Sequence, residues 1–276
     1  MRVALLQITS SDQPSDNLAM VEDMIRSAAA NGAGCVFTPE VTNCVSMSRR
    51  HQLEVLRAED EDRMLARVRD ICAELGVWVS LGSLALKTDD ADGRFANRSF
   101  VIDGTGRIVA RYDKIHMFDV EVTPEETYRE SDGYRPGTHA STVESPCGHL
   151  GLSICYDLRF PHLYRALAKA GAQVLTIPAA FSPVTGAAHW DVLLRARAIE
   201  SGCFAVAAAQ TGQHPASSGR SRRTFGHSMV VAPWGEVLAD AGTEPGITYV
   251  DLDLSMVDKA RRQVPALGHD REFDGP

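Results

Sequence analysis

The chain has 276 residues, 44% of them hydrophobic, with 28 Lys and Arg against 36 Asp and Glu, a formal net charge of −8. That length supplies one large core or two modest ones. The acidic balance, without a basic block or stripe, leaves nucleic-acid and anionic-membrane binding unsupported. The opening Met1-Arg2-Val3-Ala4-Leu5-Leu6-Gln7-Ile8 reads as a strand rather than a signal peptide. The longest apolar run, over 203–209, is strand-length, far short of a membrane span. Six cysteines (Cys35, Cys44, Cys72, Cys147, Cys155 and Cys203) show no CxxC or CxxH spacing, and read as reduced thiols of a cytoplasmic protein.

Apolar runs and helical patterns alternate along the chain. Strands are expected over 3–8, 35–37, 77–81, 99–102, 108–112, 150–154, 174–177, 204–209, 228–232 and 247–252. Helices are expected over 17–31, 62–75, 161–170 and 188–201. This alternation argues an α/β class. Asp103-Gly104-Thr105-Gly106 joins 99–102 to 108–112 as a hairpin, and Pro233-Trp234-Gly235-Glu236 joins 228–232 to 237–239 likewise. The sheet content is therefore mixed, and the two hairpin units suggest two sheets with helices outside them. No Ser/Gly/Pro linker divides the chain, so 1–276 reads as a single domain. Two polar stretches, 118–146 and the arginine-bearing 214–223, read as long loops; such loops are either functional or surface excursions.

Three strands each end on one reactive side chain. The strand 35–37 runs into Thr38-Pro39-Glu40, the strand 108–112 into Asp113-Lys114, and the strand 150–154 into Cys155. Carboxyl ends of strands are where α/β sheets bind ligands. Singly, each residue has an ordinary reading: a solvated carboxylate, a rim ammonium, an inert buried thiol. Together they make a coherent set. Cys155 would attack a carbonyl or nitrile carbon while Glu40 takes the thiol proton and later passes it to the leaving amine. Lys114 and the backbone N–H of Tyr156 would stabilise the oxyanion, donors typically worth about 10²–10³ in rate each. Ammonia leaves, a thioester remains, and water activated by Glu40 releases the acid. Whether Glu40 is held ionised by the ammonium or raised by burial stays open at this level. A papain-like pair would instead need His116 or His227 beside Cys155, and a non-catalytic interaction protein could keep the same fold. No ligand spacing implies a metal and no Gly-rich phosphate loop implies a cofactor.

The segments Phe37-Thr38-Pro39-Glu40, Tyr112-Asp113-Lys114-Ile115-His116-Met117-Phe118-Asp119 and Ser153-Ile154-Cys155-Tyr156-Asp157-Leu158-Arg159-Phe160-Pro161 carry a resemblance over nearly the whole chain. The chain resembles the nitrilase superfamily of carbon–nitrogen hydrolases. The resemblance implies an α/β four-layer α-β-β-α sandwich with two mixed sheets. It also implies a homodimer or higher homo-oligomer, with helices 161–170 and 188–201 at the subunit interface. It assigns Glu130, in Glu130-Ser131-Asp132-Gly133-Tyr134-Arg135-Pro136-Gly137, as a second glutamate that positions Lys114 or substrate.

The stretch 185–200, with Ala207-Ala208-Ala209-Gln210 and 226–235, is similar to the Nit branch of that superfamily. The branch implies a small carboxylated amide as substrate: deaminated glutathione, or an ω-amide such as α-ketoglutaramate. Arg159, four residues past the nucleophile, is placed by the family pattern to grip the substrate carboxylate bidentately, or else to pair with Asp157; Thr185 would add a hydroxyl. N-carbamoyl amide or nitrile hydrolysis is the alternative reaction. Tyr156-Asp157, where true nitrilases tend to have Trp-Glu, argues against the nitrile.

Overall fold

The computed structural model describes residues 1–123 and 126–275. The first half comprises β1 (Arg2–Gln7), α1 (Pro14–Ala30), β2 (Cys35–Phe37), α2 (Arg49–Val55), α3 (Arg63–Leu75), β3 (Trp78–Leu86), β4 (Ala96–Ile102) and β5 (Ile108–Asp113). A middle group follows: β6 (Asp119–Thr123), β7 (Glu126–Arg129), α4 (Glu130–Gly133), β8 (Thr142–Ser145), β9 (Gly148–Leu152), α5 (Pro161–Lys169), β10 (Val174–Thr176) and α6 (Pro183–Ser201). The chain closes with β11 (Phe204–Ala207), β12 (Thr211–Gln213), β13 (Arg223–Phe225), β14 (Met229–Val231), β15 (Val237–Asp240), β16 (Gly246–Asp251) and α7 (Ser255–Gln263).

Two six-stranded sheets result, ordered β16-β1-β2-β3-β4-β5 and β15-β14-β11-β10-β9-β8. Each has three parallel strands at its heart, β1–β2–β3 in one and β9–β10–β11 in the other. Antiparallel strands flank them, including both expected hairpins, β4–β5 and β14–β15. Parallel strands are buried on both faces, which is why their sequences read as continuous apolar runs. Side chains alternate between faces with period two. Val3, Leu5, Cys35 and Phe37 join one core with Leu150, Leu152 and Val174 of the second sheet, while Ala4, Leu6 and Val36 join another with α1 and α3. The second sheet is covered by α5 and α6, through Leu163, Leu167, Trp190 and Leu194. The layers are therefore α-β-β-α, as expected.

Local signals explain the helix positions. Pro14 opens α1, whose buried Val21, Ile25 and Ala28 lie on one face. Asp62 caps α3 by accepting the Leu65 N–H at 2.9 Å, and Gly76, with φ 68°, closes it. The structure departs from expectation over 118–146. That stretch holds the β6–β7 hairpin, the short α4 and the edge strand β8. These strands are half-exposed and so lack the apolar alternation that marks core strands. Residues 124 and 125 of that stretch lie outside the described residues. The short α2 and the C-terminal α7 were not anticipated, and α6 starts at Pro183 rather than at 188. Among the described residues no helix is long and apolar enough to cross a membrane.

One irregularity in β3 prepares the site. Its pairing with β4 shifts between Leu81 and Leu84, and the displaced backbone receives the chain leaving β2. The Gly82 N–H donates to Thr38 Oγ1 at 2.9 Å, the Val41 N–H to Ser83 Oγ at 2.8 Å, and the Thr42 N–H to the Ser83 carbonyl at 2.8 Å. A Cβ on Gly82 would lie 2.0 Å from the Thr38 carbonyl oxygen and 2.5 Å from Pro178 Cβ. Gly82→Ala is therefore expected to destabilise the protein by about 1–3 kcal/mol or more. Gly246→Ala, with open space around the new methyl, should stay within about 0.5 kcal/mol of the parent. Urea denaturation of both variants checks the pair; equal midpoints would contradict the account.

Candidate active site

The three strand ends identified from sequence converge. Beyond β2 the chain turns at Thr38–Thr42, locked by the Thr42 hydroxyl donating to the Pro39 carbonyl at 2.6 Å, and Glu40 points inward, 3% exposed. Beyond β5, the Lys114 N–H donates to the Asn97 carbonyl at 3.0 Å and the Lys114 carbonyl accepts the Gly137 N–H at 2.7 Å. This leaves the Lys114 side chain buried between two carboxylates. Its Nζ lies 2.8 Å from Glu40 Oε1, and 2.9 and 2.8 Å from the two oxygens of Glu130. Glu130, in α4, is fixed in turn by the Phe118 N–H at 2.7 Å. The remaining acceptors of Glu40 are filled by Asn97 Nδ2 and the Ala180 N–H, both at 2.9 Å.

Cys155 follows β9 at the start of a 3₁₀ turn, Cys155–Arg159. Its φ of 49° is in the left-handed region, uncommon for a residue with a side chain. Its N–H donates to the Pro178 carbonyl at 2.9 Å. Asp157, wholly buried, pins the turn: it accepts from the Ile154 N–H at 2.8 Å, the Tyr112 hydroxyl at 2.7 Å and the His116 N–H at 3.0 Å, and contacts His116 Nδ1 at 2.6 Å. The thiol stands beside the Glu40 carboxylate, near enough for each to act on the other's proton affinity.

Burial by itself would push the Glu40 carboxyl up, but the charges of Lys114 and Arg222, with hydrogen bonds from Lys114 and Cys155, outweigh it and hold the group below the ordinary carboxylate value. Burial likewise works against a charged Lys114, and Glu130 and Glu40 overcome it, raising its pKa. Burial and the Glu40 charge raise Cys155 well above an ordinary thiol, against the opposing pull of Lys114. The resting state is thus a neutral thiol beside an ionised carboxylate and an ammonium. That settles the question left open by the sequence.

A cavity of about 310 Å³ stands over Cys155, Glu40, Lys114 and Glu130. Phe118, Tyr128, Tyr134, Tyr156 and Phe181 supply aromatic walls, and Arg49, Arg129 and Arg222 supply positive charge. Glu40, Lys114, Cys155, Glu130 and Tyr156 are therefore brought together; Arg159 and Thr185 are not part of the lining. Arg159 reaches instead to His189 Nδ1, at 3.2 Å, with its guanidinium over the rings of Tyr156 and Phe181 at 5.9 and 5.7 Å. It does not pair with Asp157 either, whose partners are those given above. The reason is the helix type: in a 3₁₀ turn residues i and i+3 eclipse, so position i+4 is rotated by about a third of a turn from Cys155. Thr185 sits in the first turn of α6, its hydroxyl buried without a partner. The papain-like alternative fails on geometry, since His116 is engaged by Asp157 and stacked on Phe160, and His227 is engaged by Asp240 at 2.9 Å.

Asn97, Ala180 and the three arginines were missed. Arg129 and Arg222 lie in the two polar stretches flagged by composition; nothing in the sequence marks Asn97 or Ala180.

Removing one partner from a buried ionic cluster leaves the others uncompensated. Lys114→Met is expected to cost about 3–5 kcal/mol of stability and to raise the Glu40 pKa. Denaturant titration reads the first effect and carboxyl NMR the second; an unchanged denaturation midpoint would show that the ammonium is dispensable.

A family profile described as carbon-nitrogen hydrolase matches residues 2–262. The chain is 40% identical over 272 residues to a protein of Yersinia enterocolitica named deaminated glutathione amidase, covering 98% of this chain and 92% of that one. It superposes on the crystal structure of the C. elegans NitFhit protein with TM-score 0.90 at 38% identity, covering 98% of this chain and 65% of that longer one. An amidase from Nesterenkonia sp. AN1, described as carrying acrylamide added at its active-site cysteine, gives TM-score 0.76 at 28% identity, with 96% and 98% covered.

Proposed function

The chain belongs to the carbon–nitrogen hydrolase family, and from that premise we propose that it is a thiol amidase hydrolysing a small carboxylated amide of the deaminated glutathione kind. The observation that carries this reading is the convergence of Cys155, Glu40 and Lys114, with Lys114 Nζ 2.8 Å from Glu40 Oε1, on a cavity walled by three guanidinium groups. The relatives named deaminated glutathione amidase support the substrate class.

Because the thiol rests protonated, attack requires a base in contact with it, and the ionised Glu40 supplies one. The Cys155 sulfur bonds to the amide carbonyl carbon as its proton passes to Glu40. The carbonyl electron pair moves onto oxygen, facing the Lys114 charge and the Tyr156 N–H. Lys114 makes three contacts to carboxylate oxygens, two of them to Glu130; when Glu130 drops from two contacts to one, an N–H is released toward the oxyanion. The C–N bond then breaks, Glu40 returns its proton to the nitrogen, and the amine departs, a peptide amine from deaminated glutathione or ammonia from a primary ω-amide, leaving a thioester. Water loses a proton to Glu40 as it attacks, the C–S bond breaks, and the thiol is restored with the carboxylic acid as product. Glu130 acts as a positioning residue for Lys114. Arg222 and its neighbours Arg49 and Arg129 meet the substrate carboxylate, whereas Arg159 holds the aromatic wall from behind.

Cys155→Ala is expected to lower amide hydrolysis, read as the amine released, at least about 10⁴-fold, and Glu40→Gln about 10²–10⁴-fold. Undiminished turnover in Cys155→Ala would sink the reading, and ammonia from nitrile or N-carbamoyl compounds alone would move it to another reaction of the family. The pH profile is a second check. Glu40 is held below its ordinary value of 4.5 and Cys155 above 9.0, so kcat/KM should be flat between those limits, falling on the acid side below pH 4.5 as Glu40 protonates. A limb near pH 6.5, roughly where an unperturbed imidazole titrates, would point to a histidine in the chemistry.

We also read the chain as a homodimer joined through α5 and α6. Val192 and Ile199 on α6 are 65% and 55% exposed, seven residues apart on one face, and Trp234 is 51% exposed on the turn that packs against Ile199. Apolar side chains clustered in this way mark an association surface. Sedimentation equilibrium at micromolar concentration should give twice the chain mass; a monomer would contradict it.

A further inference from the structure

The motif Ala207-Ala208-Ala209-Gln210 has no part in the chemistry above, yet it ends on a polar side chain that is wholly buried. Gln210 follows β11 and makes a parallel bridge to Ile8, just past β1, so it stands where the second sheet meets the first. Its amide is used in full. Oε1 accepts the Ser10 N–H at 3.0 Å, and Nε2 donates to Ser10 Oγ at 2.8 Å and to the Glu40 carbonyl at 3.1 Å. A backbone N–H can only donate, so the Ser10 N–H fixes which way round the amide lies and turns its hydrogens toward Ser10 Oγ and Glu40. Ser10, also wholly buried, extends the hold: its hydroxyl donates to the Thr42 carbonyl at 3.0 Å.

These bonds fall on the turn that carries the proposed base. Val41, next to Glu40, has φ 46°, in the left-handed region where a β-branched residue is an outlier. Such backbone persists only where its surroundings over-determine it. The N–H groups of Val41 and Thr42 are taken from the first sheet, by Ser83. The carbonyls of Glu40 and Thr42 are taken by Gln210 and Ser10. Gln210 steadies the carboxylate as well. Its own N–H donates to the Ala179 carbonyl at 2.8 Å, and the next residue, Ala180, gives its N–H to Glu40 Oε2 at 2.9 Å. Cys155 follows β9 of the same second sheet. A tie from the end of β11 to the Glu40 turn therefore spans the gap that the thiol proton crosses.

We propose that Gln210 is a positioning residue for the reaction: it ties the strained Glu40 turn to the sheet that carries Cys155 and so sets the distance between base and nucleophile. The inference rests on the reading of Glu40 as the base of Cys155, and adds to it a residue outside the lining of the cavity. Without the amide, the Glu40 carbonyl and the Ser10 N–H lose their partner, Val41 relaxes toward an ordinary φ, and the carboxylate swings away from its donors and from the thiol. The fold supplies a control. Gln7, equally buried, also bridges the two sheets through three hydrogen bonds, from Nε2 to the Gly242 and Glu244 carbonyls at 3.0 and 2.8 Å and from the Ser228 N–H to Oε1 at 2.7 Å. These fall away from the Glu40 turn.

The test reads the thiol directly and needs no substrate. Alkylation of Cys155 by iodoacetamide, located by mass spectrometry of its peptide, is timed in the parent, Gln210→Met, Gln7→Met and Glu40→Gln. The sulfur displaces iodide from carbon as the thiol proton passes to Glu40, so the rate reports the contact between base and nucleophile. Gln210→Met should slow it roughly 10- to 100-fold, the range for misplacing a reacting group by about 1 Å. Gln7→Met should lose comparable thermal stability yet stay within about twofold of the parent rate, as a change with no shared partner does. The pH dependence is a readout that lost packing alone does not move. With its donors displaced Glu40 is held ionised less firmly, so the acid limb of the alkylation rate should move to higher pH in Gln210→Met and stay in place in Gln7→Met. Ser10→Ala, a milder cut that removes the bond to Thr42 and one anchor of the amide, should show both effects in smaller measure, and serves where Gln210→Met does not fold. Equal slowing in the two glutamine variants, or an acid limb that stays in place in the variants at 210 and 10, overturns the positioning role. Slow alkylation in Glu40→Gln with the parent rate in Gln210→Met overturns it too, while leaving the amidase reading intact. A Cys155 that stays unlabelled in the parent, or is labelled as fast in Glu40→Gln as in the parent, brings down that reading and the inference with it.

Discussion

One ammonium held between two carboxylates in the protein interior is the constraint on which the rest depends. Moving each such ion out of water costs several kcal/mol, and the cost is offset only where geometry is good and the remaining hydrogen-bond positions are filled. Here they are filled: Glu40 by Asn97 and the Ala180 N–H, Glu130 by the Phe118 N–H. Lys114 alone leaves the cluster one negative charge in excess. At an effective dielectric near 20, a unit charge 4 Å away acts with about 4 kcal/mol. Burial first, and the Glu40 charge after it, keep the proton on the nearby thiol, and Arg222 shares in holding Glu40 ionised. In the mechanism proposed above the nucleophile is a thiol beside its base, unlike a preformed thiolate stabilised by an imidazolium.

The scaffold exists to hold that cluster against its own cost. Glu40 and Lys114 come from one sheet and Cys155 from the other, so the stacking of the two sheets sets the distances between them. The displaced backbone of β3 ties the sheets together at the relevant point. Gly82 lets the Glu40 segment and Pro178 approach from either side, and the Pro178 carbonyl in turn accepts the Cys155 N–H. The left-handed backbone at Cys155 is a local strain of the kind that persists only when surroundings over-determine it. Asp157 and its four contacts provide that over-determination, and they also occupy His116.

Much of this was legible from residue order. Parallel strands buried on both faces produce apolar runs that stand out in any chain, and a reactive side chain directly after such a run lands at a sheet end. Glu40, Lys114 and Cys155 were found in this way, and Glu130 through the family motif. The polar hairpin β6–β7 was not legible, because half-exposed strands carry no apolar period. Arg159 was expected to face the substrate and is absent from the lining of the cavity over Cys155, because four residues make about one turn only in an α-helix and the turn after Cys155 is 3₁₀. Asn97 lies inside an ordinary strand, and nothing local distinguishes it from its neighbours.

Sequence by itself determined the α/β class with two mixed sheets and, through the family motifs, the layer order and the carbon–nitrogen bond class, and it singled out Glu40, Lys114 and Cys155 as candidate reacting groups, since apolar runs, turn residues and motifs are short-range features. Tertiary structure decided the protonation of those groups and which guanidinium groups face the cavity. These depend on distances between residues as far apart as Glu40 and Ala180, or Lys114 and Glu130. Electrostatic energy and cavity shape are set by such separations in space, and the order of residues along the chain does not encode them directly.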